Sequence, residues 1–290
     1  RALCSIGAYE CIHYSFFSPS DLDLLRLPED APERKAIRIL NPINEELSLM
    51  RTTLAASMLN AISRNQKRGN LEGRLFELGK RFIAKELPLT DYPDERETLC
   101  VGIFGEKESF YTLKGMAEKV AKTLFVEFSY VPDKKTYLHP YQTAAIFCEG
   151  ERVGYLGKVA YEAAEKLDLR GSAYIMEIDM KLLEKYFDRR AAFEPLSRFP
   201  EENRDLALVM DKAITCGQVE EEMKKSCKYI KNIRLFDVYE GEQIPADKKS
   251  MAFTITFQPG EEAFEADAVE RFVNKILKNL KNELEIELRS

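Results

Sequence analysis

Residues 250–258, SMAFTITFQ, alternate between two classes of side chain along their whole length. One parity is apolar throughout, with Met251, Phe253, Ile255 and Phe257. The other parity is small or polar, with Ala252, Thr254 and Thr256. Because successive residues of a strand point to opposite faces of a sheet, this pattern predicts a strand that buries one face and leaves the other open.

The segments on both sides of this strand predict three further strands and two helices. Residues 204–210 (RDLALVM), 233–239 (IRLFDVY) and 283–289 (ELEIELR) alternate as strands do. Residues 215–227 place apolar side chains four apart, and residues 269–280 follow the i, i+3, i+4, i+7 spacing of an amphipathic helix. The resulting order, βαββαβ, is that of a ferredoxin-like domain.

Both helices of such a domain cover the same face of its sheet, because right-handed crossovers place them there. In IRLFDVYEG we expect Phe236 and Val238 to point to the core, and the opposite parity, Leu235, Asp237 and Tyr239, to point to the open face. RNA-recognition modules use such a face, since an aromatic ring stacks on a base and a carboxylate suits the adjacent N–H donors of guanine. An ordinary solvated strand, with Tyr239 lying on the sheet and Asp237 starting the turn, accounts for the same pattern.

Charge gives RNA binding mixed support. The 290 residues carry a net charge of −6, whereas proteins that bind nucleic acid broadly have a basic surface. The stretch MKKSCKYIKNIRL, 223–235, has no acidic residue and five basic ones: Lys224, Lys225, Lys228, Lys231 and Arg234. These side chains suit phosphate contacts, but lysines near the end of a helix also complement its dipole. Any RNA contact is therefore expected to be local.

The first 190 residues predict a mixed α and β module. Strands are predicted at 9–17, 37–43, 47–54, 74–83, 97–105, 144–148, 152–158 and 173–179, and helices at 18–25, 54–65 and 113–124. Strands in succession with only occasional helices favour a largely antiparallel sheet backed by helices. A stretch with two prolines and clustered charges, 188–204, interrupts the periodicity, so we place the domains at 1–190 and 196–290.

Few residues suggest chemistry. The sequence has no GxxxxGK[ST], no GxGxxG and no GxSxG. Its six cysteines form no CxxC and its two histidines, His13 and His139, are far apart, so we expect free thiols and no zinc site. His139 is interpreted as structural. Arg51 is an isolated charge in an apolar segment, and we expect it to pair with Glu77.

The ends and the hydropathy of the chain lead to two further expectations. The chain begins at Arg1 without a signal-peptide pattern, and we expect it to be part of a longer protein. No run approaches the roughly 20 apolar residues that a membrane helix needs, so we expect no membrane partner, and the free thiols suit a reducing cytoplasm.

Longer segments of the sequence match the pattern of a known family. NPINEELSLMRTTLAASMLNAISRNQKRGN (41–70) and LFELGKRF (75–82) resemble the synthetase-like module in the beta subunit of bacterial phenylalanine–tRNA ligases. SRFPEENRDLALVM (197–210) and LFDVYEGEQIPADKKSMAFTITFQ (235–258) resemble the C-terminal anticodon-binding domain of the same family. The resemblance covers almost the whole chain, and its motifs occur in the right order.

This resemblance implies an α+β fold, with a class II synthetase-like antiparallel sheet module followed by a ferredoxin-like anticodon-binding domain. The family enzyme is a cytoplasmic heterotetramer of two alpha and two beta subunits that uses ATP and magnesium to attach phenylalanine to its tRNA. Its active site lies on the alpha subunit, and the beta module is catalytically silent and supports assembly. We therefore expect the alpha subunit and the tRNA for phenylalanine as partners, and no catalytic or metal-binding residue in this chain.

The resemblance also implies site residues. The acid and the tyrosine of the family's LFD-x-Y strand contact the anticodon, and they correspond here to Asp237 and Tyr239. Arg204, Arg198 and Lys248 are further candidate contacts with the tRNA. The residues just before Arg204 are more acidic than a phosphate-contacting segment would prefer, which counts against Arg198.

Two other functions are compatible with the pattern. A ferredoxin-like regulatory module would bind a metabolite or dimerise through the open face, but such a face would be apolar or rich in glycine. Here it is polar, with one aromatic ring. An active synthetase-like enzyme would need cationic residues to hold the ATP phosphates, and no GxGxGxxR occurs within 1–190.

Overall fold

The computed structural model describes residues 1–187, 197–260 and 262–289. Contacts between Cα atoms divide the chain into two compact units, Arg1–Ala192 and Phe193–Ser290. The domain boundary predicted near 190–196 lies outside the described residues and stays a prediction. Each unit is described by itself below.

The first unit is built on a seven-stranded sheet in which all pairs but one are antiparallel. Its elements, in chain order, are β1 (Tyr9–Glu10), β2 (Phe16–Phe17), α1 (Pro19–Leu24), β3 (Leu49–Met50), α2 (Ala55–Lys67), β4 (Gly73–Ile83), β5 (Asp94–Phe104), α3 (Phe110–Leu124), β6 (Phe128–Pro132), β7 (Leu138–Cys148), β8 (Glu151–Val159), α4 (Tyr161–Lys166), β9 (Ala173–Asp179) and α5 (Met180–Leu183). The strand order is β1-β4-β5-β9-β8-β7-β6, while β2 and β3 pair with each other. The predicted antiparallel sheet is confirmed.

Helices pack on both faces of this sheet, because its central strands are apolar on both sides. The strand β9 is buried along its whole length. One cluster of buried residues joins α2 to one face of the sheet, and a second cluster joins α3 to the other face. Helix α3 begins with a capping box, in which the Ser109 hydroxyl accepts from the backbone N–H of Thr112 at 3.1 Å.

The first 54 residues contain less strand than predicted. Of the predicted strands at 9–17, 37–43 and 47–54, only the two-residue strands β1, β2 and β3 and an isolated bridge between Arg38 and Leu49 form. These segments have the apolar composition of strands but lack a strand partner along most of their length. Several large apolar side chains are consequently exposed here, with Ile12 at 90%, Leu40 at 96% and Ile43 at 72%.

The predicted pair between Arg51 and Glu77 is confirmed. Arg51 Nη1 lies 2.8 Å from Glu77 Oε1, and both side chains are only 3% exposed. Nδ1 of His13 lies 2.5 Å from the other carboxylate oxygen, so Glu77 is held from two sides. Arg51 crosses Gly79, where a Cβ atom would come within 2.3 Å of the guanidinium. A side chain at this position would therefore displace the guanidinium from the place where it meets its partner.

The second unit has the predicted ferredoxin-like order. Its elements are β10 (Glu202–Asp211), α6 (Cys216–Ser226), β11 (Ile230–Tyr239), β12 (Lys248–Phe257), α7 (Ala268–Leu284) and β13 (Glu287–Leu288). The sheet order is β11-β12-β10-β13, with every pair antiparallel. The last strand is shorter than predicted, because α7 continues to Leu284 and ends at Glu285, whose φ is +54°.

The core of this unit lies between one face of the sheet and the two helices. Met251, Phe253, Ile255 and Phe257 of β12 are at most 3% exposed, as their parity predicted. They belong to a cluster with buried residues of α6 and α7, namely Val219, Met223, Val269, Ile276 and Leu280. Both helices therefore cover the same face, and among the described residues of this unit no helix packs on the opposite face.

Candidate nucleic-acid interface

Strand β11 contains an extra residue that changes which side chains share a face. Leu235 lies opposite Phe253 and Asp237 lies opposite Ala252, so Phe236 is the unpaired residue of a β-bulge. Directly opposed residues of an antiparallel pair point to the same face. Two expectations from parity are therefore wrong, because Leu235 packs against the core cluster and Phe236 is 50% exposed.

The bulge leaves Asp237 and Tyr239 on the open face, where parity predicted them. Tyr239 lies opposite Ser250, and Asp237 lies opposite Ala252, both on the side of β12 that faces away from the helices. Asp237 is exposed and Tyr239 is half-buried. Val238 lies opposite the buried Met251 and so has core parity, but it is 51% exposed because β11 is an edge strand.

Small side chains form the floor of the open face beside this pair. Ala252 lies opposite both Asp237 and Ala207, and the backbone N–H of Arg289 donates to the carbonyl of Ala207 at 2.8 Å. One row of residues thus crosses the sheet from Asp237 at one edge, over two alanines, to Arg289 at the other. This row has a carboxylate at one end, the backbone of Arg289 at the other and no bulky side chain between them.

The ring of Tyr239 contacts two other parts of the second unit. The guanidinium carbon of Arg289 is 4.8 Å from the ring centroid, which is a cation–π distance. A Cβ atom on Gly241 would come within 2.4 Å of the tyrosine hydroxyl, so the loop after β11 is closely packed against that hydroxyl. No local sequence pattern indicates this contact, since 50 residues separate Arg289 from Tyr239 and only the strand order brings them together.

The other predicted tRNA contacts do not all share this face. Arg204 lies opposite the buried Ile255, which places it on the helix-covered side at one end of β10. Arg198 is exposed and lies before β10 begins. Lys248 is half-buried and lies opposite Asp211, with the parity of the open face. Of the three, only Lys248 therefore belongs to the surface that holds Asp237 and Tyr239.

Three of the five basic residues at 224–234 contact neighbouring side chains, and one of them, Lys228, places its Nζ 5.0 Å from the centroid of the Tyr229 ring. Lys225 pairs with Glu221 at 2.9 Å and with Glu222 at 2.7 Å, and Lys231 pairs with Glu201. Arg234 lies opposite Thr254 and is exposed on the open face. The phosphate contact that we considered for the whole cluster is consequently best placed at Arg234.

The first unit contains a cavity of about 390 Å³, lined by both cations and carboxylates. Asp179 accepts from Arg81 at 2.5 Å and from Arg96 at 3.1 Å. Glu177 accepts from the backbone N–H of Leu54 at 2.6 Å and from the hydroxyl of Tyr155 at 2.6 Å. These two carboxylates are therefore occupied by other groups of the protein, and Glu177 caps the N-terminus of α2.

The pKa values of two groups in the first unit, Tyr155 at this cavity and Glu77 outside it, are shifted by their surroundings. Burial raises the pKa of Tyr155 well above its ordinary value, and the nearby charge of Glu177 adds to the rise. The phenol therefore stays protonated and continues to donate to the carboxylate. Burial alone would raise the pKa of Glu77 as well, but the hydrogen bond from His13 and the charge of Arg51 outweigh it and lower the pKa.

The described residues do not fit a magnesium site. Among residues 1–187, 197–260 and 262–289, no group of three or more His, Cys, Asp or Glu side chains could hold a metal ion. None of the six cysteines forms a disulfide, and Cys148 and Cys227 are buried, as expected of small core residues. In the described part of the chain, no helix is long and apolar enough to cross a membrane.

Comparison with known families gives one match to each unit. The family described as "Phenylalanyl tRNA synthetase beta chain CLM domain" matches residues 1–180. The family described as "Ferredoxin-fold anticodon binding domain" matches residues 197–289. Together the two matches leave only short segments of the chain uncovered.

Curated relatives and solved structures agree with these matches. The chain is 35% identical over 290 residues to the phenylalanine–tRNA ligase beta subunit of Clostridium tetani, and 33% identical over 290 residues to that of Clostridium acetobutylicum. Each alignment covers 99% of this chain but 36% of the relative, so the chain spans about a third of the length of the curated relatives that it matches. A pyrrolysyl-tRNA synthetase from Desulfitobacterium hafniense shares the fold, with a TM-score of 0.52 at 17% identity over 64% of this chain and 66% of that one.

Proposed function

Because the chain belongs to the phenylalanyl-tRNA synthetase beta chain family, we propose that its second unit binds the anticodon of the tRNA for phenylalanine. The observation that carries this proposal is the shared position of Asp237 and Tyr239 on the face of the sheet opposite α6 and α7, in register with Ala252 and Ser250. A stacking ring beside a carboxylate over a floor of small side chains suits a single unpaired base. The family relatives carry ligase names, and none of them favours the regulatory alternative.

In this proposal Asp237 reads the first anticodon base and Tyr239 supports its stacking. A carboxylate accepts from the two adjacent N–H donors of guanine, whereas the corresponding edge of adenine offers fewer donors. Arg234 and Lys248 lie on the same face and would contact the backbone phosphates. Arg198 stays a candidate contact beyond the strand, and Arg204 would reach RNA only from the other side of the sheet.

Titration of the chain with anticodon stem-loops that differ only in the first anticodon base tests the proposal. Tyr239→Ala is expected to weaken binding by about 1–3 kcal/mol, the usual value of one stacked base. Asp237→Ala is expected to reduce the preference for guanine over adenine. Equal affinity of the unmodified chain for both bases would exclude Asp237 as the reader, and calorimetric binding of free phenylalanine without any RNA binding would favour a metabolite-binding module.

For the first unit we propose a role in assembly with the alpha subunit of the same ligase, in the cytoplasm, in a tetramer of two alpha and two beta subunits. Large exposed apolar side chains in its first 45 residues, among them Ile12, Leu40 and Ile43, offer apolar surface that such an interface would bury. ATP and magnesium would act on the alpha subunit during the attachment of phenylalanine to tRNA. Co-purification with the alpha subunit, and its loss in Leu40→Asp, tests the proposal.

A further inference from the structure

Arg289 occupies the surface of the ring that the proposed function requires. Its guanidinium carbon lies 4.8 Å from the centroid of Tyr239, and the hydroxyl end of that ring is packed against Gly241. A nucleobase therefore cannot stack directly on this face of Tyr239 while Arg289 is in place. Either the arginine leaves when RNA binds, or the base stacks on the arginine itself.

Two hydrogen bonds hold Arg289 over the ring. Its backbone N–H donates to the carbonyl of Ala207 at 2.8 Å, which extends the pairing of β13 with β10. Its Nη2 donates to Oε1 of Gln243 at 2.9 Å, in the loop between β11 and β12. Because β11 and β13 are the two edges of the sheet, the contact between Tyr239 and Arg289 bridges the open face across both central strands. This arrangement fixes the guanidinium as part of the surface.

A guanidinium in this position is itself a suitable stacking surface. It is planar, carries a permanent positive charge, and stacks on aromatic rings and on nucleobases. Only one of its N–H groups is used by Gln243 in the contacts described above, and a guanidinium has five. The remaining donors can serve acceptors such as phosphate oxygens, which the positive charge also attracts.

We infer that Arg289, stacked over Tyr239, is itself an RNA-contacting residue that presents its guanidinium to a base or phosphate of the anticodon. Tyr239 then acts mainly by holding the guanidinium of Arg289 over the open face, on the same edge strand that carries Asp237. This inference rests on the proposed function. The inference goes beyond the proposed function because it assigns the contact with RNA to Arg289, which lies 50 positions after Tyr239 in the sequence.

The test compares Arg289→Ala and Arg289→Lys with the unmodified chain, by titration with an anticodon stem-loop at several salt concentrations. We expect Arg289→Ala to weaken binding at least about fivefold, the lower end of the effect of one stacking contact, and to reduce the salt dependence by about one phosphate contact. Arg289→Lys keeps the positive charge but lacks the planar guanidinium. We therefore expect it to have the salt dependence of the unmodified chain but a lower affinity. Arg271→Ala is the matched control, because Arg271 is exposed on α7 and pairs with Glu265.

The outcomes separate this inference from the function on which it rests. If Arg289→Ala binds as well as the unmodified chain, or more tightly because the ring has been uncovered, the inference is wrong while the anticodon proposal stands. If neither the unmodified chain nor any variant prefers the stem-loop to an unrelated hairpin, the proposed function itself fails. Thermal unfolding of each variant confirms that the sheet is intact, and Gln243→Ala, which releases the guanidinium without removing it, is expected to weaken binding less than Arg289→Ala.

Discussion

Replacement of Arg51 by methionine provides the sharpest test of how the first unit is stabilised. Arg51 and Glu77 are each only 3% exposed and lie 2.8 Å apart, so the substitution leaves a carboxylate buried beside His13 without its strongest partner. Removing one partner of a buried ion pair costs about 3–5 kcal/mol. The guanidinium also donates from Nε to the carbonyl of Lys80 at 2.7 Å, and this acceptor loses its donor as well.

For a unit of this size, 1 kcal/mol corresponds to a change of about 2–4 °C in the midpoint of thermal unfolding. The expected loss is therefore about 6–20 °C, measured by calorimetry on the full chain and assigned to the transition of the first unit. Arg152→Met is the matched control, because Arg152 pairs with Asp133 at 2.6 Å while 49% exposed, and such a pair contributes at most about 1 kcal/mol.

The double variant Arg51→Met, Glu77→Gln distinguishes an unpaired charge from a simple loss of packing. It leaves no buried charge without a counter-ion, so it is expected to be more stable than Arg51→Met alone, although the carbonyl of Lys80 still lacks its donor. If Arg51→Met costs no more than Arg152→Met, or if the second substitution adds further loss, the buried pair does not stabilise the unit in the way described.

Four further measurements test separate parts of the structure. Phe253→Ala removes a fully buried ring from the core of the second unit, and we expect a loss of about 3–5 kcal/mol in denaturant unfolding of that unit. Glu177→Gln weakens the cap of α2 and the bond from Tyr155, with an expected loss of about 1.5–3 kcal/mol in the first unit, and an unchanged stability would contradict the capping role. The pKa of Glu77 is lowered below its ordinary value of 4.5. The ionised carboxylate therefore stabilises the first unit fully above pH 4.5, and this stabilisation is lost as the pH falls through the lowered pKa. In Glu77→Gln we expect the free energy of unfolding to depend less on pH in this acidic range. Burial raises the pKa of the Cys11 thiol to about 11, so alkylation at pH 8 is expected to label the exposed Cys4 much faster than Cys11, and equal rates would contradict the burial.

The regular elements of both units could be predicted from the sequence. In β12 the alternation of apolar and polar residues is continuous over nine positions, and in α7 the apolar spacing repeats over several turns, so local pattern and tertiary burial favour the same structure. The prediction failed in the first 54 residues, where segments as apolar as strands found almost no pairing partner. A strand needs a neighbour for its backbone, and the composition of the segment alone does not show whether one exists.

The candidate site was likewise predictable from the sequence only in part. The sequence by itself determined that an acid and a tyrosine two positions apart would share a face, since alternation is a local property of the backbone and holds from Asp237 to Tyr239. Only the tertiary structure decided that a bulge at Phe236 would turn Leu235 to the core, because a bulge is defined by the partner strand. The strand order also decided that Arg289 would cover the ring of Tyr239, since two opposite edges of one sheet meet over its open face only after the whole unit has folded.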